Sequence, residues 1–327
     1  MAGNWKYRLK KDWTLNWTAY LMVLPVLAYY VIFCYKPMYG IVISFKDFSI
    51  RKGIMGSQWV GLKYYYDFFG SYYFLRLLKN TVIISLTSIA LGFPTPIIFA
   101  LLLNEVRSNA YKRTIQTVAY MPHFISIVVI CALIQLFTSH DSLLTTFFSH
   151  FGYDPKYDML NFPQYFVPIY VLSGVWQNTG WNCIIYLSAL AGIDMELYEA
   201  ARIDGANRWH QTLHVTLPGI ANTIILLFVL RLGSIMSIGF EKIILLYNEG
   251  TYDTADVIAS YTYRRGLVKG DYAYSTAIGL FNSIINIIFV LSANKASNKL
   301  AGTGLFLWKE AQAYDKKEHS QSGRPRI

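Results

Sequence analysis

Charge is what this sequence has little of. Asp, Glu, Lys and Arg make up 15% of its 327 residues, against about 25% in soluble domains. Hydrophobic residues make up 54% and aromatic residues 17%, and the mean hydropathy is +0.32. Such a chain is too apolar to be disordered and too poor in charge for an ordinary cytosolic enzyme. Cysteine is scarce as well. Cys34, Cys131 and Cys183 all lie in apolar blocks, their number is odd, and no spacing suits a metal site, so they read as small buried apolar residues. GxxxxGKS/T, HExxH and GxSxG motifs are all missing, as is any pair of acidic residues inside an apolar block. Catalytic chemistry within a membrane-embedded enzyme is therefore not expected, and ATP, if used, must be bound by another chain.

What the sequence does have is long apolar blocks. A hydrocarbon core about 30 Å thick takes about 20 apolar residues as helix. Six blocks qualify, at Asn16–Tyr35, Thr81–Leu103, Ile115–Ser139, Tyr165–Ile193, Gly219–Gly239 and Ser275–Asn294. The expected fold is all-α, a polytopic membrane protein with six transmembrane helices. It divides into an N-terminal segment at 1–15, a six-helix bundle at 16–294 and a polar tail at 295–327. Pro25, Pro94, Pro96, Pro122 and Pro168 fall inside these blocks, where bundles tolerate them as kinks. The first block is too long for a signal-peptide core and lacks a small-residue cleavage site after it, so it is expected to remain in the mature protein.

The net charge of +10 sits at the block edges. Lys6, Arg8, Lys10 and Lys11 precede the first block; Lys295, Lys299, Lys316, Lys317, Arg324 and Arg326 follow the last. By the positive-inside rule both termini are cytoplasmic, as an even span count requires. Arg107, Lys112 and Arg113 after the second block agree, and so does the lone Lys156 after the third. The first outer loop disagrees, because it holds Lys36, Lys46, Arg51, Lys52, Lys63, Arg76 and Lys79. Its aromatic density predicts short amphipathic helices along the membrane interface.

The cytoplasmic stretch 194–218 is not a simple linker. Asp194 is placed to cap a helix whose first turns carry Glu196 and Glu199, followed by the helix formers Ala200, Ala201 and Arg202. Gly205 breaks that run. Ala206, Trp209 and Leu213 then recur on one face of a second short helix, which Leu217-Pro218 is expected to stop. An apolar knob presented to water marks a partner site.

Glu199-Ala200-Ala201, three residues, Gly205, nine residues, Val215, one residue and Leu217-Pro218 resemble the EAA motif of importer-type ABC permeases, with Val215 standing where that family has Ile. The segments LPVLAYYVIF, LRLGSIMSIGFEKIILLYN and YSTAIGLFNSIIN are similar to permeases of oligosaccharide and polysaccharide importers, which are related to the maltose permeases. The resemblance covers about Trp17 to Leu300. It implies a type I ABC importer permease fold in a bacterial cell membrane. The implied partners are a second homologous permease, two ATPase subunits holding ATP and Mg, an extracytoplasmic solute-binding protein and an oligosaccharide; this chain would hold no cofactor and bind no nucleic acid. It further implies that the 194–218 loop is the coupling element seated in the ATPase, with Glu199 as anchor and Ala200, Ala201, Gly205 and Trp209 around it.

Polar side chains inside spans line paths or glue helices. Trp176, Gln177, Asn178 and Trp181 combine amides that match sugar hydroxyls with rings that cover sugar faces, and the resemblance places sugar contacts there and near Arg231 and Ser234. Arg231 is the fully charged residue within the six blocks. It is expected either to meet an acidic sugar or to pair with a carboxylate such as Glu241. His123 reads as a packed polar residue. The alternative function, an ion-coupled secondary carrier, is opposed by the lack of Asp or Glu in the blocks and of an inverted repeat.

Overall fold

The computed structural model describes residues 5–301; the basic residues Lys316, Lys317, Arg324 and Arg326 of the expected tail lie outside them. The chain forms two compact units, one running up to Gly70 and including Arg264–Leu280, the other comprising Ser71–Tyr263 and the chain from Phe281 onward.

In the first unit, α1 (Trp5–Tyr29) runs directly into a π turn at Tyr30–Tyr35. The stretch Asp12–Phe45 is 34 residues long and apolar enough to cross a bilayer. Its side chains, among them Trp17, Leu21, Leu24 and Phe33, are exposed, and Cys34, expected to be buried, is exposed with them. The expected all-α loop that follows contains a short ladder instead. β1 (Lys46–Asp47) pairs antiparallel with β2 (Gln58–Trp59), and Phe45 stacks on Trp59 at 5.7 Å. Phe45, Phe48 and Trp59 suit a pleated, half-buried surface better than a helix. One short helix of the expected kind is nevertheless present there, α2 (Lys63–Phe69). Its Tyr64 hydroxyl donates to the Asp47 carboxylate at 3.1 Å. Burial, with Asp47 beside it, pushes that hydroxyl up to about 12.

The second unit begins with α3 (Phe74–Gly92) and α4 (Pro94–Glu105), which form one 32-residue apolar segment bent at Pro94. Arg76, which counted against the charge rule, is neutralised locally. Its guanidinium lies 3.1 Å from Asp253 and 3.8 Å from the fully buried Asp256. The third block departs from expectation, because the helix predicted over Ile115–Ser139 is interrupted. α5 (Asn109–Tyr120) ends in a single 3-10 turn at Met121–Phe124, and α6 (Ile127–Thr138) restarts from Ser126, whose hydroxyl caps it. Pro122 in the turn and the extended backbone of Ile125 and Ser126 explain the break. α7 (Leu143–Ser149) is short, and α8 (Pro163–Ala191) is 29 residues, of membrane-crossing length but carrying the polar run Gln177–Asn182.

α9 (Met195–Ile203) and α10 (Arg208–Gln211) form the knob expected over 194–218. Leu217-Pro218 does not stop the second of these. A π turn at Thr212–Thr216 leads straight into α11 (Leu217–Leu232), giving an unbroken 25-residue helical segment, Arg208–Leu232. The proline enters at the first turn of α11, where a missing N–H costs least, and the widened π turn ahead of it absorbs the mismatch. The fifth block also ends earlier than expected. α11 stops at Leu232, a turn follows, and α12 (Phe240–Leu246) resumes. α13 (Tyr272–Ala301) is the last helix described. It stabilises the break: Asn286 accepts from the Met236 N–H at 3.0 Å and donates to Ser237, while Asn282 donates to the Met236 carbonyl at 3.2 Å. In hydrocarbon an unpaired backbone group costs several kcal/mol, so these amides are the partners that make the interruption tolerable.

Within this unit α8 is the common wall of two cores. Phe166 packs with Ile84, Cys131, Ile243 and Leu246 near one end, and Cys183, Tyr186 and Leu190 pack with Ala100, Leu103 and Ile220 near the other. Among the described residues five segments are long and apolar enough to cross a membrane, and α8 adds a sixth of sufficient length.

Candidate translocation path and coupling surface

The knob is built as its sequence requires. The Asp194 carboxylate accepts from the Glu196 N–H at 3.0 Å and caps α9. Gly205 takes φ +79, a left-handed turn that a side chain strongly disfavours, and redirects the chain. Asn207 caps α10 by accepting from the His210 N–H at 2.9 Å. Tyr198 and Thr216 share a hydrogen bond of 3.0 Å, and Gln211 donates to the Ala206 carbonyl at 2.8 Å, so the two short helices are tied at their bases. Arg208 reaches Glu105 at the end of α4, 3.4 Å away. The apolar side chains point outward: Ile203 is 87% exposed, Trp209 68%, Met195 61% and Leu197 55%. Glu199 and Ala200 are exposed and Ala201 is half-buried. Glu199 makes no ion pair with another described residue.

The break after α11 opens a cavity of about 710 Å³ between α3, α4, α8, α11 and α12. Gln177, Asn178, Arg231 and Ser234 all line it. Arg231 stands in the last turn of α11, where a cation suits the negative end of the helix dipole. Its carbonyl accepts from the Ser234 hydroxyl at 3.1 Å. It forms no ion pair with any described residue, so pairing with Glu241 is not observed; Glu241 lines the same cavity.

The two tryptophans are elsewhere. Trp176, one position from Gln177, is turned by 100° on the helix and lines an apolar hollow with Ile134, Phe148 and Leu172. Trp181 stacks face to face on His123, with ring centres 4.6 Å apart. His123 in turn contacts the Asn178 side-chain oxygen through Nδ1 at 3.2 Å, and the Asn178 amide donates to the Gly174 carbonyl at 2.9 Å. His123 is therefore a packed polar residue, and it orients one that faces the cavity. Beside it Gly180 touches backbone: a Cβ there would overlap the Ala119 carbonyl. The rings that do line the cavity are Phe93, Tyr170 and Tyr186.

The sequence reading also missed Lys242. It lies outside the apolar block as drawn, yet α12 folds back and delivers it to the cavity wall. The available signal was a lone lysine inside the apolar run of α12, where a charge needs a reason.

Broken helices around a polar cavity, joined to an exposed apolar knob with no nucleotide site of its own, define a membrane transport component driven from outside itself. The chain belongs to the binding-protein-dependent transport system inner membrane component family, whose pattern matches residues 92–300. It is 41% identical over 303 residues to Protein LplB of Bacillus subtilis (strain 168), covering 93% of this chain and 94% of that one. It is also 41% identical over 288 residues to the polygalacturonan/rhamnogalacturonan transport system permease protein YteP of the same organism, covering 88% and 89%. A chain in the crystal structure of a bacterial ABC transporter involved in the import of the acidic polysaccharide alginate superposes with a TM-score of 0.82 at 42% identity, over 90% of this chain and 99% of that one. A second, in the alginate transporter in complex with an alginate pentasaccharide-bound periplasmic protein, superposes with a TM-score of 0.83 at 41% identity, over 91% and 100%. The chain is thus an ABC importer permease with the type I fold, a transport component and not an enzyme, and the ion-coupled carrier falls away.

Proposed function

We propose that this chain is one of two permease halves that carry an oligosaccharide through the cavity beside α8, Gln177 and Asn178 supplying hydrogen bonds to the sugar. The observation that carries the reading is that one helical segment, Arg208–Leu232, has the exposed knob at its start and the cavity-lining Arg231 at its end. ATP and Mg belong to two ATPase subunits seated on the knob, which contacts them through Glu199, Ala200, Ala201, Gly205 and Trp209. A solute-binding protein delivers the sugar outside, both termini are cytoplasmic in a bacterial cell membrane, and the helices rock between inward and outward openings. Residues 16–294 form the permease domain.

Each hydrogen bond lost from the path costs on the order of 1 kcal/mol, so Gln177→Ala and Asn178→Ala should lower sugar transport about fivefold each in an assembled complex. Cysteines at 177 and 178 should react with small thiol reagents in at least one transport state. Protection in every state would remove these residues from the path.

The acidic polysaccharide named for the alginate transporter, together with an Arg231 that lines the cavity without an ion pair to any described residue, supports an acidic oligosaccharide as cargo. Arg231→Gln should slow import of a uronate oligosaccharide while the complex assembles normally. Equal loss for neutral and acidic sugars, with poor assembly, would instead mark a structural cation.

A further inference from the structure

Lys242 is charged, buried and unexplained by packing. Its residue is 7% exposed, on a helix whose other side chains are mainly apolar. An ammonium held away from water costs several kcal/mol unless it is compensated. The usual compensation is missing, since no described carboxylate lies within 4.0 Å of it. What surrounds it is neutral. Nζ donates to the Tyr170 carbonyl at 3.0 Å and to the Ser173 hydroxyl at 2.8 Å, and it sits 4.9 Å from the centre of the Tyr170 ring. An ammonium has three donors, and these contacts use two. Gly174, on the adjacent turn of α8, leaves the space beside Nζ free of a side chain: a Cβ there would stand 3.7 Å from it. Lys242 shares the cavity wall with Arg231 and Glu241, two cations against one carboxylate.

A residue serving only to staple α12 to α8 would not need a charge. A glutamine or a serine reaches a carbonyl and a hydroxyl without the desolvation cost. An ammonium pinned by neutral acceptors, with a donor to spare and a second cation on the same wall, is what an anion-binding station requires. Neutral partners hold the cation in place without cancelling its field, and the low dielectric strengthens that field at the cavity surface.

We propose that Lys242 is the fixed cation of a carboxylate-binding station in this cavity, with Arg231 as the second, and that it selects acidic over neutral oligosaccharides. This rests on the cavity being the sugar path. Ser173 and the Tyr170 carbonyl position the ammonium. The uronate carboxylate accepts from its remaining N–H, and an exposed Arg231 at the helix end receives or releases the same group as the chain of sugars advances.

The test uses the assembled transporter in liposomes, with its binding protein, and two probes of equal length: an oligogalacturonide and the same oligosaccharide with its carboxylates reduced to alcohols. Lys242→Gln should lower the ratio of charged to neutral transport about tenfold, and Lys242→Arg should keep most of it. Lys242→Cys should behave as the Gln variant, and aminoethylation of the new thiol, which restores a cation, should bring the ratio back, whereas methylation should not. The proposal is overturned if the wild-type complex does not favour the charged probe, or if Lys242→Gln slows both probes equally. It is overturned too if that variant fails to assemble, since the hydrogen bonds and not the charge would then be the purpose of the residue. None of these failures touches the coupling reading, which stands or falls on the knob variants with whichever sugar is transported.

Discussion

A Gly205→Trp chain is expected to insert and to assemble with its second permease, yet to lose sugar-stimulated ATP hydrolysis and transport by more than tenfold. Within this chain the substitution is mild. No atom lies within 4 Å of a Cβ built on Gly205, so a side chain starts there in open space, and the backbone cost is the φ of +79, about 1–2 kcal/mol for a residue with a side chain. The large effect is expected from outside, because the indole would project from a surface on which Ile203 and Trp209 are already exposed. Glu199→Ala should give the same phenotype by subtraction. Glu199 is exposed and without an ion pair among the described residues, so removing it should change stability by no more than about 0.5 kcal/mol. Gly205→Ala separates the two contributions: it carries the strain without the bulk and should retain most activity. Membrane content, copurification of the ATPase and ATP turnover with and without loaded binding protein are the measurements. Full transport by Gly205→Trp would remove the knob from the coupling surface.

Gly180→Val should be the most disruptive single change in the bundle. A Cβ at 180 would overlap the Ala119 carbonyl and crowd the Tyr120 N–H at 3.0 Å. The obstacle is backbone, so no rotamer change relieves it and α8 must move away from the end of α5. Overpacking usually costs about 1–3 kcal/mol. Here the displacement would also separate the Trp181–His123 stack and the His123–Asn178 contact. The expected outcome is a poorly assembled complex with a lower Tm and loss of transport for every sugar. Gly180→Ala should show the same in weaker form. A Gly180→Val complex that purifies and melts like the wild type would mean that α5 and α8 do not approach so closely.

The knob was legible because it is local. Asp194, Gly205 and the spacing to Leu217-Pro218 each act within a few residues, and the structure has the cap and the turn where those residues put them. The composition of the cavity wall was half legible. Gln177 and Asn178 are recognisable as polar residues in an apolar helix, but which neighbour shares their face is a matter of 100° steps, which turn Trp176 away, while Trp181, about one turn on from Gln177, is taken up by its stack on His123. Lys242 was hidden because the fifth block was drawn as continuous to Gly239. The break at Gly233 depends on Asn282 and Asn286 arriving from α13 about fifty residues later, and no local pattern announces that. The interruption at Met121–Phe124 is foreshadowed by Pro122, which by itself predicts only a kink, and Ser126 converts the kink into a fresh helix start.

The continuity of Arg208–Leu232 has a mechanical consequence. A helix of 25 residues is about 37 Å long, and its one widened turn is close to the knob, at Thr212–Thr216. The remainder is a stiff rod hinged near its lower end. A tilt of about 10° imposed at that end would carry the tip, where Arg231 stands, through about 4 Å over the roughly 22 Å beyond the hinge, most of the width of one sugar ring. On the proposed coupling, the knob and the cavity would need no relay of side chains between them: displacement would be delivered by leverage, with an amplitude set by helix length. Shortening or lengthening the rod by a full turn of 3.6 residues, on average, would leave the surface of the knob intact while changing the stroke.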